Sequence, residues 1–159
     1  MSRMLKIIKH FGVPVIMAIC TYVLVMVLFH PFVVSGLSMQ PTLNDGNIVL
    51  CDRVTNTDVL DYGEIVVIKT EWWKDIIKRV VAVPGDTVII SNGYLYVNGR
   101  ESEYQFTTTT GGRLSYPITL GENEYFCLGD NREHSADSRE LGPIRKDIIT
   151  YKVKRIITF

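Results

Sequence analysis

The chain is poor in the residues that metal and disulfide chemistry need. Its three histidines are scattered, and no pair of them falls at metal-ligand spacing. The three cysteines, Cys20, Cys51 and Cys127, are an odd set. Cys20 lies in an apolar run, while Cys51 and Cys127 have strand-like flanks where a lone thiol behaves as a small hydrophobe. Free thiols are the expectation. Charge of one sign is also missing, because 17 basic and 17 acidic residues cancel. That balance lacks the basic excess expected of a nucleic-acid binder. No internal repeat and no second helical domain is evident. A length of 159 residues allows one anchor and one modest domain with its own core.

One long uncharged run is present, at residues 11–29. At about 1.5 Å per helical residue it spans about 28 Å, close to the thickness of a bilayer's hydrocarbon core. Arg3, Lys6, Lys9 and His10 precede it, and His30-Pro31 closes it. Gly12 and Pro14 fall near its start, where a missing N–H costs least. The basic flank assigns residues 1–10 to the cytoplasm, 11–30 to a transmembrane helix and 31–159 to the far side of the membrane. A cleavable leader is the competing reading, since Val33 and Ser35 are small enough to flank a cut. The run nevertheless exceeds the roughly 7–15 apolar residues usual in leaders. A buried core helix is disfavoured by the lack of a polar face.

Beyond Ser35 the pattern is that of strands. Short β-branched runs occur at 47–51, 64–69, 76–83, 87–90, 94–97, 124–128 and 148–159. Leu43-Asn44-Asp45-Gly46 and Pro84-Gly85-Asp86 read as turns, and Ser91-Asn92-Gly93 as a hairpin. Asn98-Gly99 offers another turn. Residues 101–112 are polar and threonine-rich, which suggests an exposed loop or a loosely ordered excursion. The fold class is mostly β: a coiled sheet or barrel carried on a single N-terminal transmembrane helix.

Ser38, in Ser38-Met39-Gln40-Pro41-Thr42-Leu43, stands just past the membrane run. A hydroxyl there becomes a nucleophile only if a base reaches it. His10 and His30 flank the membrane run on opposite sides, and His134, in a polar loop, is the one histidine that could form a triad. Lysine is the alternative, but its ordinary pKa of about 10.4 must fall towards ~7–8 through desolvation. Strand alternation puts Lys78 on a face with Ile76, Val80 and Ala82, an apolar setting that disfavours charge. The plainer reading is that Lys78-Arg79 protects a strand edge. The run at residues 129–142 is dense in short polar side chains, which normally lock a loop. In the functional reading, Ser135 or Ser138 supplies a hydroxyl that orients the lysine.

Four blocks in order make the chain resemble bacterial type I signal peptidases, membrane-anchored serine endopeptidases with a Ser/Lys dyad. They are Ser38-Met39-Gln40-Pro41-Thr42-Leu43, Gly63-Glu64-Ile65-Val66-Val67, Lys78-Arg79 with Pro84-Gly85-Asp86, and residues 129–142. The short insert before Gly129 is similar to Gram-positive-type members. The resemblance implies Ser38 as nucleophile and Lys78 as general base, with Ser135 hydrogen-bonding the lysine and Asp137 and Arg139 bracing the site as an ion pair. It also implies that the Ser38 N–H serves the oxyanion, that Val34, Ile77 and Met39 line shallow pockets for small side chains, and that no metal or cofactor is used. Its partners are the signal peptides of secretory precursors and the lipid bilayer, with no nucleic acid, and it works as a monomer. Two positions depart from the pattern. Gly36 stands where some members carry a serine that completes the oxyanion hole, and Ala82 replaces a usual glycine. Other readings are a self-cleaving regulator with a related Ser/Lys core, disfavoured by the anchor, and an inactive membrane-tethered peptide-binding relative. Self-cleavage near residues 33–35 is a minor further expectation.

Overall fold

The structure, a computed structural model, describes residues 8–28, 30–71 and 74–157. Arg3 and Lys6 of the basic flank, Phe29 at the end of the uncharged run, and the last two residues of the closing segment lie outside the described residues. A π-helical turn, Ile8–Gly12, leads into helix α1, Val13–Leu28, which has 16 residues. The expected membrane helix over residues 11–30 is therefore corrected at its end. The α-helix stops at Leu28, and His30 opens strand β1, His30–Val33. Apolar content carried the expectation too far. Proline donates no backbone hydrogen bond, but β1 is an edge strand paired with one neighbour alone, so Pro31 is tolerated there. Among the described residues no helix is long and apolar enough to cross a membrane.

The remainder is antiparallel β structure. After β1 come β2 (Ile48–Arg53), β3 (Ile65–Ile68), β4 (Ile76–Ala82), β5 (Thr87–Ser91), β6 (Tyr94–Val97), β7 (Arg100–Glu101), β8 (Ile118–Thr119), β9 (Glu124–Leu128), β10 (Ile144–Arg145) and β11 (Ile149–Ile157). Seven strands form one sheet in the order β1-β2-β11-β3-β4-β9-β10, and four form a second in the order β7-β6-β5-β8. The long strand β11 slots between β2 and β3 inside the large sheet.

β3 is buried on both faces, as its unbroken Ile-Val-Val-Ile run requires. Val66 and Ile68 pack with Leu60, Val80 and Cys127, whereas Ile65 and Val67 pack with Met39, Leu43 and Val49. A register shift between Val80 and Ala82 breaks the alternation of β4. Ala82 therefore packs with Phe126 and Leu128 rather than beside Val80, which corrects the single face expected for Lys78, Val80 and Ala82.

The hairpin signals act as their chemistry demands. Asn92 and Gly93 both take positive φ (51° and 86°), the type I′ pattern, and Asn98-Gly99 repeats it at 52° and 76°. Residues 101–112 are not loosely ordered. Gln105 Oε1 accepts from Leu95 N–H and its Nε2 donates to the Gly93 carbonyl, each at 2.9 Å, while Thr109 is fully buried. These bonds fasten the segment to the β5–β6 hairpin, while Glu101, Glu103, Thr107, Thr108 and Thr110 stay exposed, as expected of a surface loop.

Candidate active site

Ser38 sits in the loop between β1 and β2. Gly36 turns the chain at φ +100°, a region that favours glycine, and its N–H donates to Asp45 Oδ1 at 2.8 Å. Val34 N–H donates to the Asn47 carbonyl at 2.8 Å and Gly46 N–H to the Val34 carbonyl at 2.9 Å, closing the loop's base. Met39 and Leu43, 1% and 0% exposed, plug the loop into the core. That leaves Ser38 half-buried beside β4.

Lys78 on β4 is 3% exposed, and its Nζ lies 2.8 Å from Ser38 Oγ. The same amine donates to the Ile77 carbonyl at 2.8 Å. Burial lowers the Lys78 pKa to about 8, against the opposing pull of Asp137 and, more weakly, Cys127 and Asp130. About one lysine in ten is then neutral at pH 7, enough to accept a proton from a hydroxyl within hydrogen-bond reach.

The run at residues 129–142 braces this pair. Asp137 pairs with Arg139 at 2.8 Å, caps the short helix α2 (Ser138–Leu141) through Arg139 N–H, and accepts from Gly129 N–H at 3.0 Å. Arg139 Nη2 in turn donates to the Arg132 carbonyl at 2.7 Å and the Ser135 carbonyl at 3.3 Å. Ser135 differs from the implied arrangement. Its Oγ is buried with no hydrogen-bond partner among the described residues, while the Lys78 amine donates to Ser38 Oγ and the Ile77 carbonyl. Ser138 Oγ accepts from Cys127 N–H at 2.9 Å and plays no orienting part.

Sequence reasoning missed a second brace. Arg79 grips Asp130 with two bonds, at 2.9 and 2.7 Å, and donates to the Gly63 carbonyl at 2.8 Å and to Thr42 Oγ1 at 3.3 Å. One guanidinium thus ties together the loop after Ser38, the approach to β3 and the polar run. Its presence beside Lys78 in the third block was visible; its partner, 51 positions away, was not.

A cleft of about 630 Å³ opens at the dyad, and Phe32, Val34, Met39 and Ile77 line it with Ser38 and Lys78. Val34, Ile77 and Met39 are thus brought to the same place as the reactive pair. A cavity of about 700 Å³ between Tyr62, Val81, Arg100 and Tyr104 contains neither Ser38 nor Lys78, so volume does not mark the site. The Ser38 N–H makes no hydrogen bond among the described residues, which leaves it available to an oxyanion. The Gly36 N–H is already held by Asp45. His134 is exposed and meets Asn131 Oδ1 at 3.3 Å, so it is not the base of a triad. Among the described residues no group of side chains has the makings of a metal site. Cys51 and Cys127 are free and buried, with the Cys51 thiol pushed up to about 12 by burial.

Comparison with known proteins gives this geometry its context. The family described as signal peptidase, peptidase S26, matches residues 4–158. The chain is 36% identical over 135 residues to signal peptidase I P of Bacillus subtilis subsp. natto, covering 77% of this chain and 73% of that one. It is 35% identical over 142 residues to signal peptidase IB of Staphylococcus aureus (strain COL), covering 77% and 74%. Among solved structures, a signal peptidase I from Enterococcus faecalis V583 aligns at TM-score 0.45 and 24% identity, over 64% of this chain and 98% of that one. The chain belongs to the signal peptidase family, peptidase S26, and is a serine peptidase.

Proposed function

We propose that the chain is a membrane-bound endopeptidase that removes signal peptides from secretory precursors after small residues. Ser38 is the nucleophile and Lys78 the general base. The observation that carries this reading is the 2.8 Å separation of Lys78 Nζ and Ser38 Oγ, with the amine buried and its pKa lowered to about 8.

The chemistry follows from those two groups. The neutral Lys78 amine takes the Ser38 proton as Oγ attacks the scissile carbonyl, and the Ser38 N–H donates to the oxyanion that forms. The Lys78 ammonium then protonates the leaving amine as the C–N bond breaks, which leaves an acyl ester on Ser38. Neutral again, Lys78 takes a proton from a water molecule that attacks the ester, and the acid product leaves with Ser38 restored. The family's use of small side chains fits the shallow apolar lining of Val34, Met39 and Ile77, and an extended substrate can add as a strand beside them. Asp137 and Arg139 hold the polar run in place, and Ser135 awaits the third N–H of the Lys78 ammonium. No cofactor enters these steps. One chain suffices for the reaction in this reading, because Ser38, Lys78 and the cleft lining all belong to it.

In this reading the helical run ending at Leu28 anchors the chain, with its N-terminus in the cytoplasm and the β domain across the membrane. Support comes from the uncharged residues 11–29 and from the exposure of Phe11, Ile16 and Met17, each above 60%. Confinement to the bilayer edge would bring Ser38 to the end of a precursor's own apolar segment. The full chain should resist alkaline extraction from membranes, and its release would contradict the anchor. Cleavage of a purified precursor by the parent, Ser38→Ala and Lys78→Ala tests the dyad. Both variants should be inactive, and near-parent activity in either would overturn the assignment.

A further inference from the structure

The Ser38 backbone is held from behind by the turn at residues 129–131. The Ser38 carbonyl accepts from Asn131 N–H at 3.0 Å, and the bare Cα of Gly129 lies against both that carbonyl and Ser135 Oγ. Arg132 fixes this turn, since its Nε donates to the Gly129 carbonyl at 2.8 Å. Arg132 is 3% exposed and makes no ion pair among the described residues. Its other donors reach Thr109 Oγ1 and the Tyr104 carbonyl, both in the threonine-rich segment. Thr109 is fully buried, and its own N–H donates to the Gly93 carbonyl at 2.8 Å, which locks it to the β5–β6 hairpin.

We propose that Thr109 is a positioning residue for the peptidase reaction. By accepting from Arg132 Nη1 it fixes the guanidinium that holds Gly129, and through Gly129 it sets the placement of Ser38 and Ser135. Asp137 and Asp130 act on the Arg132 guanidinium only through space, and all its hydrogen bonds go to neutral acceptors. It therefore depends on each of those acceptors, because an unpaired buried N–H has no water to turn to. Without the Thr109 hydroxyl, Arg132 swings to find another acceptor and releases the Gly129 carbonyl. The second sheet, far from the dyad in sequence, thereby becomes part of what keeps the dyad aligned. This inference rests on Ser38 being the nucleophile.

The test measures kcat and KM separately, per folded enzyme, with the full chain and a purified precursor. The variants are Thr109→Val, which keeps the shape without the acceptor, Thr109→Ser, which keeps the hydroxyl, Arg132→Lys, and the Thr109→Val/Arg132→Lys pair. Thr109→Val should lose about tenfold in kcat with KM nearly unchanged, and Thr109→Ser should stay within about twofold of the parent. The double variant should be no slower than Arg132→Lys alone, because both changes break one chain of contacts. Parent-like kcat in Thr109→Val, failure of Thr109→Ser to restore the rate, or multiplying losses in the double variant would each overturn the proposal. Should Thr109→Val not fold, Thr109→Cys, a similarly sized but weak acceptor, replaces it with the same expected loss and the same contrary result. Ser38→Ala runs alongside. If it cleaves the precursor, the nucleophile assignment fails; if it is inactive while Thr109→Val matches the parent, the Thr109 inference alone fails.

Discussion

Gly129 and Ser38 are in contact through the absence of a side chain: a Cβ on Gly129 would lie 2.5 Å from the Ser38 carbonyl oxygen and 2.2 Å from Ser135 Oγ. Neither distance is tolerable, and the first involves backbone that cannot rotate away. Gly129→Ala should therefore push the Ser38 loop from Lys78 and lower kcat by about 100-fold, the effect of a displacement near 1 Å at a reacting group. Single-turnover cleavage by the folded variant checks this. A parent-like rate would mean that the turn yields without moving Ser38.

The ion pairs of the polar run should differ sharply in worth. Asp130 is 1% exposed and its partner Arg79 12%, whereas the Arg113 side chain, paired with Glu140 at 2.8 Å, is 84% exposed. Removing one partner of a buried pair leaves a desolvated charge and costs about 3–5 kcal/mol. An exposed pair is worth about 0–1 kcal/mol. Denaturant unfolding of Asp130→Ala and Arg113→Ala should show that contrast, and similar losses in the two would contradict it.

Gly36 invites an obvious repair that should not work. A Cβ there meets nothing within 4 Å, so a serine hydroxyl has room, but φ is +100°. A side chain in that conformation costs about 1–3 kcal/mol. Gly36→Ser is expected to lower the thermal midpoint and leave kcat no higher than the parent's. A faster, equally stable variant would show that the loop relaxes to supply a second oxyanion donor.

Much of the β domain was legible because its signals are local. The two Asn-Gly turns require positive φ, and the β-branched run of β3 admits burial on both faces. Ser38 and Lys78 were legible as motif residues, and Asp137 with Arg139 as near neighbours in one loop. What escaped was non-local. Nothing in residues 148–159 says that this strand inserts between β2 and β3, and nothing in the threonine run says that Thr109 meets Arg132, 23 positions on. His30 was counted with the apolar run and no strand was expected at residues 31–33, since the edge position that tolerates Pro31 exists only in the assembled sheet. The bond from the Lys78 amine to the carbonyl of its own neighbour, Ile77, was not legible either.

Lys78 also predicts a stability signature. Its pKa is about 8 in the folded protein against an ordinary 10.5. Between those values the unfolded chain holds a proton that the folded chain lacks, so stability contributed at this site rises with pH across that window. Below pH 8 the folded protein carries the full cost of a buried charge. Lys78→Met should therefore exceed the parent in stability most at pH 7, with the advantage shrinking by about 3 kcal/mol by pH 10.5. An advantage independent of pH would contradict a desolvated ammonium.

The dyad itself is tested most directly by the pH dependence of kcat/KM on a precursor, measured for the parent, Lys78→Ala and Lys78→Arg. If neutral Lys78 is the base, the parent rate climbs about tenfold per pH unit on the acid side and levels off near the lowered Lys78 pKa of about 8. Lys78→Ala should lose about a thousandfold or more, and Lys78→Arg should fail equally because guanidinium keeps its proton. A parent profile flat between pH 6 and 9, or a Lys78→Arg enzyme cleaving near the parent rate, would contradict the account.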